Sequence, residues 1–132
     1  MTRLAIAVLL AALSQVTLAE TVTGTVSYRE RIALPPGVLV TVRLEDVSRQ
    51  DVPSTLVGQS RYPATDGPPY KFAVEYDPAE IVEGHSYALR ATLTLSGKLM
   101  FSSTRHYPAF ENELPVDILV HRARSNPLAP PD

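Results

Sequence analysis

Residues 70–76 read YKFAVEY, and this stretch decides the fold class. Its large apolar side chains occupy every second position, with Lys71, Ala73 and Glu75 between them. Successive side chains of a β-strand face opposite sides of a sheet, whereas a helix repeats every ~3.6 residues. The alternation therefore predicts a strand with one buried face and one solvated face.

The same two-residue period recurs on both sides of this stretch. Taking each run as one strand gives about seven strands, at residues 22–28, 38–44, 55–62, 70–76, 87–95, 99–101 and 114–121. Prolines and glycines separate the runs, and Gly58 inside the third run predicts a bulge or bend. The pattern predicts an all-β fold, a two-layer antiparallel β-sandwich of the immunoglobulin-like kind.

Local signals add one helical turn and two structural residues. Asp77 followed by Pro78 predicts a short helical turn, because aspartate caps a helix N-terminus and proline fits the first turn. Gly37 ends the proline-rich break after the first strand. Tyr87 resembles the tyrosine of an immunoglobulin-like corner, whose hydroxyl would bond the upstream backbone near Val82.

The turn at Ser96 and Gly97 leaves two hairpin registers open, and Gly97 is a third structural residue. A two-residue loop would pair Leu93 with Met100, whereas a three-residue loop with left-handed Gly97 would pair Leu93 with Leu99. We favour the three-residue loop, because it keeps the apolar residues of both strands on one buried face.

The two ends of the chain are set apart from this domain. Arg3, a short apolar run and a small residue at Ala19 predict a signal peptide over residues 1–19. The apolar run is too short for a membrane span, which needs roughly 20 residues. We expect the β-sandwich domain over residues 20–124 and a disordered, proline-rich tail over residues 125–132.

Charge and cysteine content exclude several classes of protein. The chain of 132 residues has 12 Lys and Arg against 14 Asp and Glu, a net charge of -2. We therefore expect no nucleic-acid surface. The sequence has no cysteine, which excludes disulfides and thiol catalysis. We expect a periplasmic or secreted bacterial protein that is neither membrane-spanning nor lipid-anchored through its own N-terminus.

No residue pattern predicts an active site. His85, His106 and His121 fall on separate predicted strands or strand edges, without the close spacing of metal ligands. The carboxylates lie mostly in loops or on outward positions, and no serine has the glycine-flanked turn of a hydrolase nucleophile. We expect a non-enzymatic protein without catalytic residues, cofactor or metal.

Arginines and tyrosines are the candidate binding residues. The chain has ten arginines and two lysines, and guanidinium groups grip carboxylates and stack on aromatic rings. Arginines in acid pairs and tyrosines that close a core would give the same pattern, so this alternative stays open. The candidates are Tyr28, Arg29, Arg31, Tyr70, Tyr76, Arg105 and Tyr107.

Residues 22–51, VTGTVSYRERIALPPGVLVTVRLEDVSRQD, resemble the opening of the YbaY/YscW family of bacterial envelope proteins. Residues 68–81 and 85–108 resemble the family further along the chain. The resemblance implies an exported, non-enzymatic protein with a small β-sandwich domain. It also implies that some type III secretion relatives are pilotins, lipoproteins that bind a secretin segment and escort it to the outer membrane. This sequence departs from them in having no cysteine after the predicted signal peptide.

Our leading hypothesis is an envelope protein that binds another protein or peptide in a chaperone- or pilotin-like way. An extended peptide can add a strand to a free sheet edge, and we expect such an edge or groove at residues 38–44 or 70–76. The alternative is a small carbohydrate- or ligand-binding module, with tyrosines and arginines on one sheet face. That alternative requires at least two tyrosines exposed on one surface.

Overall fold

The computed structural model describes residues 18–123, which form eight strands and one short 3-10 turn at Pro78–Glu80. The predicted tail and, apart from residues 18 and 19, the predicted signal peptide lie outside the described residues. Between residues 18 and 123 no helix is long and apolar enough to cross a membrane. The strands are β1 Glu20–Ser27, β2 Val38–Asp46, β3 Thr55–Pro63, β4 Tyr70–Tyr76, β5 Tyr87–Leu95, β6 Lys98–Ser103, β7 Tyr107–Pro108 and β8 Val116–Arg122.

The strands form one mixed sheet that is nearly closed into a barrel. Their order is β3-β2-β5-β6-β8-β1-β4, with the two-residue β7 beside β5. Neighbouring strands are antiparallel except β1 and β8, which are parallel, with Gly24 opposite Val116 and Ser27 opposite Leu119. The all-β prediction is confirmed. The two-layer antiparallel, immunoglobulin-like sandwich is not confirmed, because the parallel β1–β8 pairing joins the strands into one curved sheet.

The barrel interior is built from the apolar rows that the sequence predicts. Along β4, buried and exposed residues alternate from Tyr70 onward, as the two-residue period requires. A sandwich core and a barrel interior both bury every second residue, which is why the period alone did not separate them. The largest fully buried side chains are Phe101, Leu44, Leu93, Ile118 and seven valines, Val22, Val26, Val38, Val40, Val42, Val74 and Val120.

The predicted helical turn is confirmed next to β4. The Asp77 carboxylate accepts a hydrogen bond of 2.9 Å from the Ala79 amide, and Pro78 occupies the start of the turn. The turn ends at Glu80, since Ile81 returns to an extended backbone.

The β5–β6 hairpin has the two-residue loop, so the favoured three-residue loop is wrong, and beyond the loop its register differs from that of the two-residue alternative as well. Its loop has two residues, Ser96 and Gly97, with φ of 51° and 80°, and Leu93 lies opposite Phe101. The register shift falls at Met100, after the loop instead of inside it. A two-residue loop with positive φ at both positions matches the twist of the strands. The later bulge then turns Phe101 into the barrel.

Candidate functional site

The sheet has an open junction between β3 and β4, its two end strands. Within the described residues, β3 pairs only with β2 and β4 pairs only with β1. Each strand therefore has one side without a ladder, the arrangement that accepts an added strand. Of the two predicted rows, residues 70–76 lie at this junction. The prediction of an edge at residues 38–44 is wrong, because β2 is enclosed between β3 and β5.

Glycine lets the two strands of the open junction touch. A Cβ on Gly58 would lie 2.5 Å from the Glu75 carbonyl oxygen and 3.1 Å from Cγ1 of Val74. The β2–β3 register shifts beside this point, so that Leu44 faces Gly58 while Glu45 faces Leu56. The bulge turns Gly58 towards β4 and leaves Leu56 45% exposed on the outer surface. Packing at Gly58, and not a hydrogen-bonded ladder, holds β3 against β4, so a strand added between them must first part the two strands.

Two polar side chains of β3 have unused hydrogen-bonding groups beside the open junction. The Ser60 hydroxyl oxygen and the Tyr62 hydroxyl oxygen are buried without a hydrogen-bond partner. Burial raises the pKa of Tyr62 to about 12. An unpaired buried hydroxyl is destabilising. The inner side of this junction therefore has more unsatisfied hydrogen-bonding groups than an ordinary core.

The outer surface of β3, β2 and β5 carries three arginines, which we call the arginine face: Arg61, Arg43 and Arg90. Arg43 lies directly opposite Arg90 in the β2–β5 ladder, and like charges in that position repel. The carboxylate of Glu45, 5% exposed, lies between them. Its oxygens are 3.7 Å from Nε of Arg43 and 3.3 Å from Nε of Arg90. Besides these two ion pairs, the Ser54 hydroxyl donates a hydrogen bond of 2.8 Å to this carboxylate.

A polar groove adjoins the arginine face where β5 meets β7. Its volume is about 380 Å³. Tyr107 is fixed there, because its hydroxyl accepts a hydrogen bond of 3.1 Å from the Leu119 amide. Arg105 is exposed, and within residues 18–123 no carboxylate forms an ion pair with it. The groove is lined by Glu45, Val47, Ala88, Leu89, Arg90, Ser103, Thr104, Arg105, His106 and Tyr107.

The end of β2 is tied to the start of β5 by an acid and a histidine. A hydrogen bond from the Ser48 hydroxyl, helped by His85, lowers the pKa of Asp46 to about 2, against a smaller opposing effect of burial. Nδ1 of His85 lies 2.7 Å from the Asp46 carboxylate. Nearby, the Tyr87 hydroxyl accepts a 2.8 Å hydrogen bond from the Val82 amide, the upstream backbone named for it above. These contacts order the loops at this end of the barrel.

The tyrosines predicted as binding residues are not exposed. Tyr28 and Tyr70 are buried, at 7% and 5% exposure, while Tyr76 and Tyr107 are half-buried. Tyr62 on β3 is also half-buried. The exposed tyrosine surface that a carbohydrate-binding module requires is therefore absent from residues 18–123.

The structure does not bring the seven predicted binding residues together. Arg29 and Arg31 are exposed in the loop after β1, whereas Arg105 precedes β7. Sequence reasoning missed Glu45, which it treated as an ordinary outward acid. A signal was present, because Arg43 and Glu45 are two residues apart on one strand and so share a face. The groups that bury Glu45 come from other elements, and no local sequence pattern predicts their contact with it.

The family model described as "Type III secretion system lipoprotein chaperone (YscW)" matches residues 17–120. The chain belongs to the YscW family. The resemblance found in the sequence is thus confirmed, and the family is a chaperone type and not an enzyme class.

This chain is similar to two known proteins that bear on its function. It is 37% identical over 82 residues to the uncharacterized lipoprotein YbaY of Escherichia coli strain K12, a match that covers 61% of this chain and 43% of YbaY. The matched part thus spans less than half the length of that relative. The chain also superposes on an alternative pilotin from the type II secretion system of Vibrio cholerae, with a TM-score of 0.71 and 32% identity. That match covers 80% of this chain and 99% of the pilotin.

Proposed function

We propose that this chain is an exported, non-enzymatic envelope protein that binds a segment of another envelope protein as a pilotin-like chaperone. The observation that carries the proposal is the open junction between β3 and β4, in a fold shared with a pilotin. Family membership supports a chaperone role. Location in the bacterial envelope is supported by relatives described as lipoproteins and pilotins.

The open junction suits an extended segment of a partner. Strand addition satisfies backbone N–H and C=O groups along the edge, and the alternating side chains of the added strand then contact both faces of the sheet. In this chain the edge of β3 has Leu56 exposed on its outer side and the Tyr62 hydroxyl unpartnered on its inner side. A partner segment inserted here would cover Leu56 and supply a hydrogen-bonding group to the Tyr62 hydroxyl.

A secretin segment is the partner that we propose. The family resemblance supports this choice, since pilotins among the relatives bind secretins. In the described part of the chain, no group of three or more His, Asp or Glu residues could hold a metal ion.

The proposal is tested by titrating the purified protein with segments of the secretins of the same bacterium, using isothermal calorimetry to find the segment that binds. Hydrogen exchange then locates it. We expect slower amide exchange in β3 and β4 on binding, because added-strand hydrogen bonds protect those amides. Failure of every secretin segment to bind, or protection confined to other strands, would overturn the proposal.

A matched pair of substitutions tests the edge itself. Leu56→Lys places a charge on the end strand β3, and edge lysines oppose strand addition. Leu99→Lys is the control, because Leu99 is equally exposed, at 44% against 45% for Leu56, but lies on β6 inside the sheet. We expect Leu56→Lys to weaken binding about tenfold and Leu99→Lys to leave it unchanged. Equal losses in both variants would contradict an edge site.

A further inference from the structure

The arginine face is a positive surface on a protein whose overall charge is negative. The chain has a net charge of -2, yet the outward charged residues along β3, β2 and β5 include Arg61, Arg43 and Arg90 against the single buried carboxylate of Glu45. Arg105 adds a further positive charge at the groove. Charge is thus concentrated locally, which favours binding of an anionic partner.

The buried carboxylate holds two of these arginines ready for a ligand. The ion pairs of Glu45 with Arg43 and Arg90 run to the Nε atoms, and the two arginine side chains remain 42% and 61% exposed. The two terminal nitrogens of a guanidinium group form the edge that binds a carboxylate with two parallel hydrogen bonds. Because Glu45 already restricts the Arg90 side chain, less conformational entropy is lost when that edge binds a second carboxylate.

The groove beside Arg90 has the size and polarity for an acidic side chain. It has a volume of about 380 Å³, and Glu45, Arg90 and Arg105 line it together with Ser103, Thr104 and His106. Serine and threonine hydroxyls and a histidine ring N–H can donate hydrogen bonds to a carboxylate. The arginine face is also continuous with the open junction, since Arg61 lies on β3, the strand that borders it.

We propose that the arginine face and its groove bind an acidic peptide segment, with aspartate or glutamate carboxylates held by Arg61, Arg90 and Arg105. This inference rests on the proposed role in binding a protein segment, and it names the chemistry of that segment. A strand added beside β3 directs alternate side chains to the same outer surface as Arg61. Acidic residues at every second position of that strand would face Arg61. Arg90 lies on β5, three strand spacings or about 14 Å from the added strand, so carboxylates reach Arg90 and Arg105 where the segment continues across the outer surface of the sheet.

The probe is a synthetic ten-residue peptide with glutamate alternating with threonine, compared with the same peptide carrying glutamine. We expect the glutamate peptide to bind in low salt, with an affinity that falls as salt is added, and the glutamine peptide to bind at least tenfold more weakly. Equal binding of the two peptides would overturn the proposal.

Two double variants separate this surface from general charge effects. Arg61→Gln with Arg105→Gln removes two arginines that form no ion pair within residues 18–123, so the fold is not expected to suffer. Arg29→Gln with Arg31→Gln removes the same charge from the loop after β1. We expect about a tenfold loss for the first pair and less than a twofold loss for the second. Equal losses would overturn the proposal.

Conservative replacement and lipid provide the last tests. Arg90→Lys keeps the charge but loses the two-pronged geometry, and we expect it to weaken the glutamate peptide several-fold; unchanged binding would contradict the role of Arg90. Vesicles of phosphatidylglycerol that bind more tightly than the peptide would assign the face to a membrane and overturn the inference. If a secretin segment binds independently of these arginines, the inference fails and the proposed function stands. If the glutamate peptide binds and no secretin segment does, the proposed function fails and the inference stands.

Discussion

The barrel has two junctions at which a glycine lets a neighbouring backbone come close, and they differ in kind. At the paired junction, β1 and β8 form a parallel ladder, and a Cβ on Gly24 would lie 1.9 Å from the Val116 carbonyl oxygen. At the open junction, a Cβ on Gly58 would lie 2.5 Å from the Glu75 carbonyl oxygen, but no ladder joins β3 and β4. Close approach of two backbones therefore does not by itself make a sheet. One junction is held by hydrogen bonds and packing, the other by packing alone.

The largest expected effect is at the paired junction. Gly24→Ala places a methyl group against the Val116 carbonyl and the Phe72 ring, so the β1–β8 ladder must shift. We expect a loss of roughly 3 kcal/mol or more in the free energy of unfolding, measured by urea denaturation. Gly67→Ala is the control, since a Cβ there meets nothing within 4 Å. A small loss for Gly24→Ala would mean that the two strands separate easily.

A smaller and more local effect is expected at the open junction. Gly58→Ala pushes β3 away from β4, where no hydrogen bond must break, and we expect a loss of about 1–3 kcal/mol. Hydrogen exchange should become faster in β3 and β4 and stay unchanged in β1 and β8, because only the packed junction is loosened. Uniformly faster exchange along all four strands would contradict the difference between the junctions.

The strands could be predicted from the sequence, but the way they join could not. Each apolar row, such as residues 70–76, is a local pattern that a single strand imposes on its own residues. The parallel pairing of β1 with β8 is not local: the Thr25 hydroxyl donates a hydrogen bond to Asp117, 92 residues further along the chain. Nothing in the alternation of residues 22–28 specifies which strand lies beside them. For this reason the all-β prediction was confirmed and the sandwich prediction was not.

The candidate site was only partly predictable for a related reason. Gly58 marked a bend in its own strand, and the alternation along β5 is enough to place Arg90 on the outer surface. The burial of Glu45 depends on Ser54 and Arg90, which reach it from another loop and another strand. The tyrosines misled in the opposite direction, because a tyrosine at a strand end is as useful in a barrel core as on a surface. Burial of Tyr28 and Tyr70 is a property of the assembled barrel.

The smallest expected effects come from removing the hydroxyl group of one tyrosine at each junction. Tyr62 lies on β3 with its hydroxyl buried and unpartnered, whereas the Tyr28 hydroxyl, just after β1, donates a 2.8 Å hydrogen bond to the Ile32 carbonyl. Tyr28→Phe should lower the free energy of unfolding by about 1 kcal/mol. Tyr62→Phe should leave it unchanged or raise it by up to ~1 kcal/mol, since an unsatisfied buried group is removed. Urea denaturation at pH 7 measures both.

The pH dependence of Tyr62→Phe sharpens this last comparison. Burial raises the pKa of Tyr62 from 10.0 to about 12 in the folded protein. The folded state therefore favours the neutral phenol more than the unfolded state does. The contribution of Tyr62 to the free energy of unfolding is fully present below pH 10 and is lost as the pH rises towards 12. Tyr70 and Tyr76 have pKa values raised to about 12 as well, so the wild type should lose stability over this range. Tyr62→Phe should lose less stability, and its advantage over the wild type should grow between pH 10 and pH 12. A constant difference would mean that Tyr62 is solvated, and that the open junction admits water to the inner side of β3.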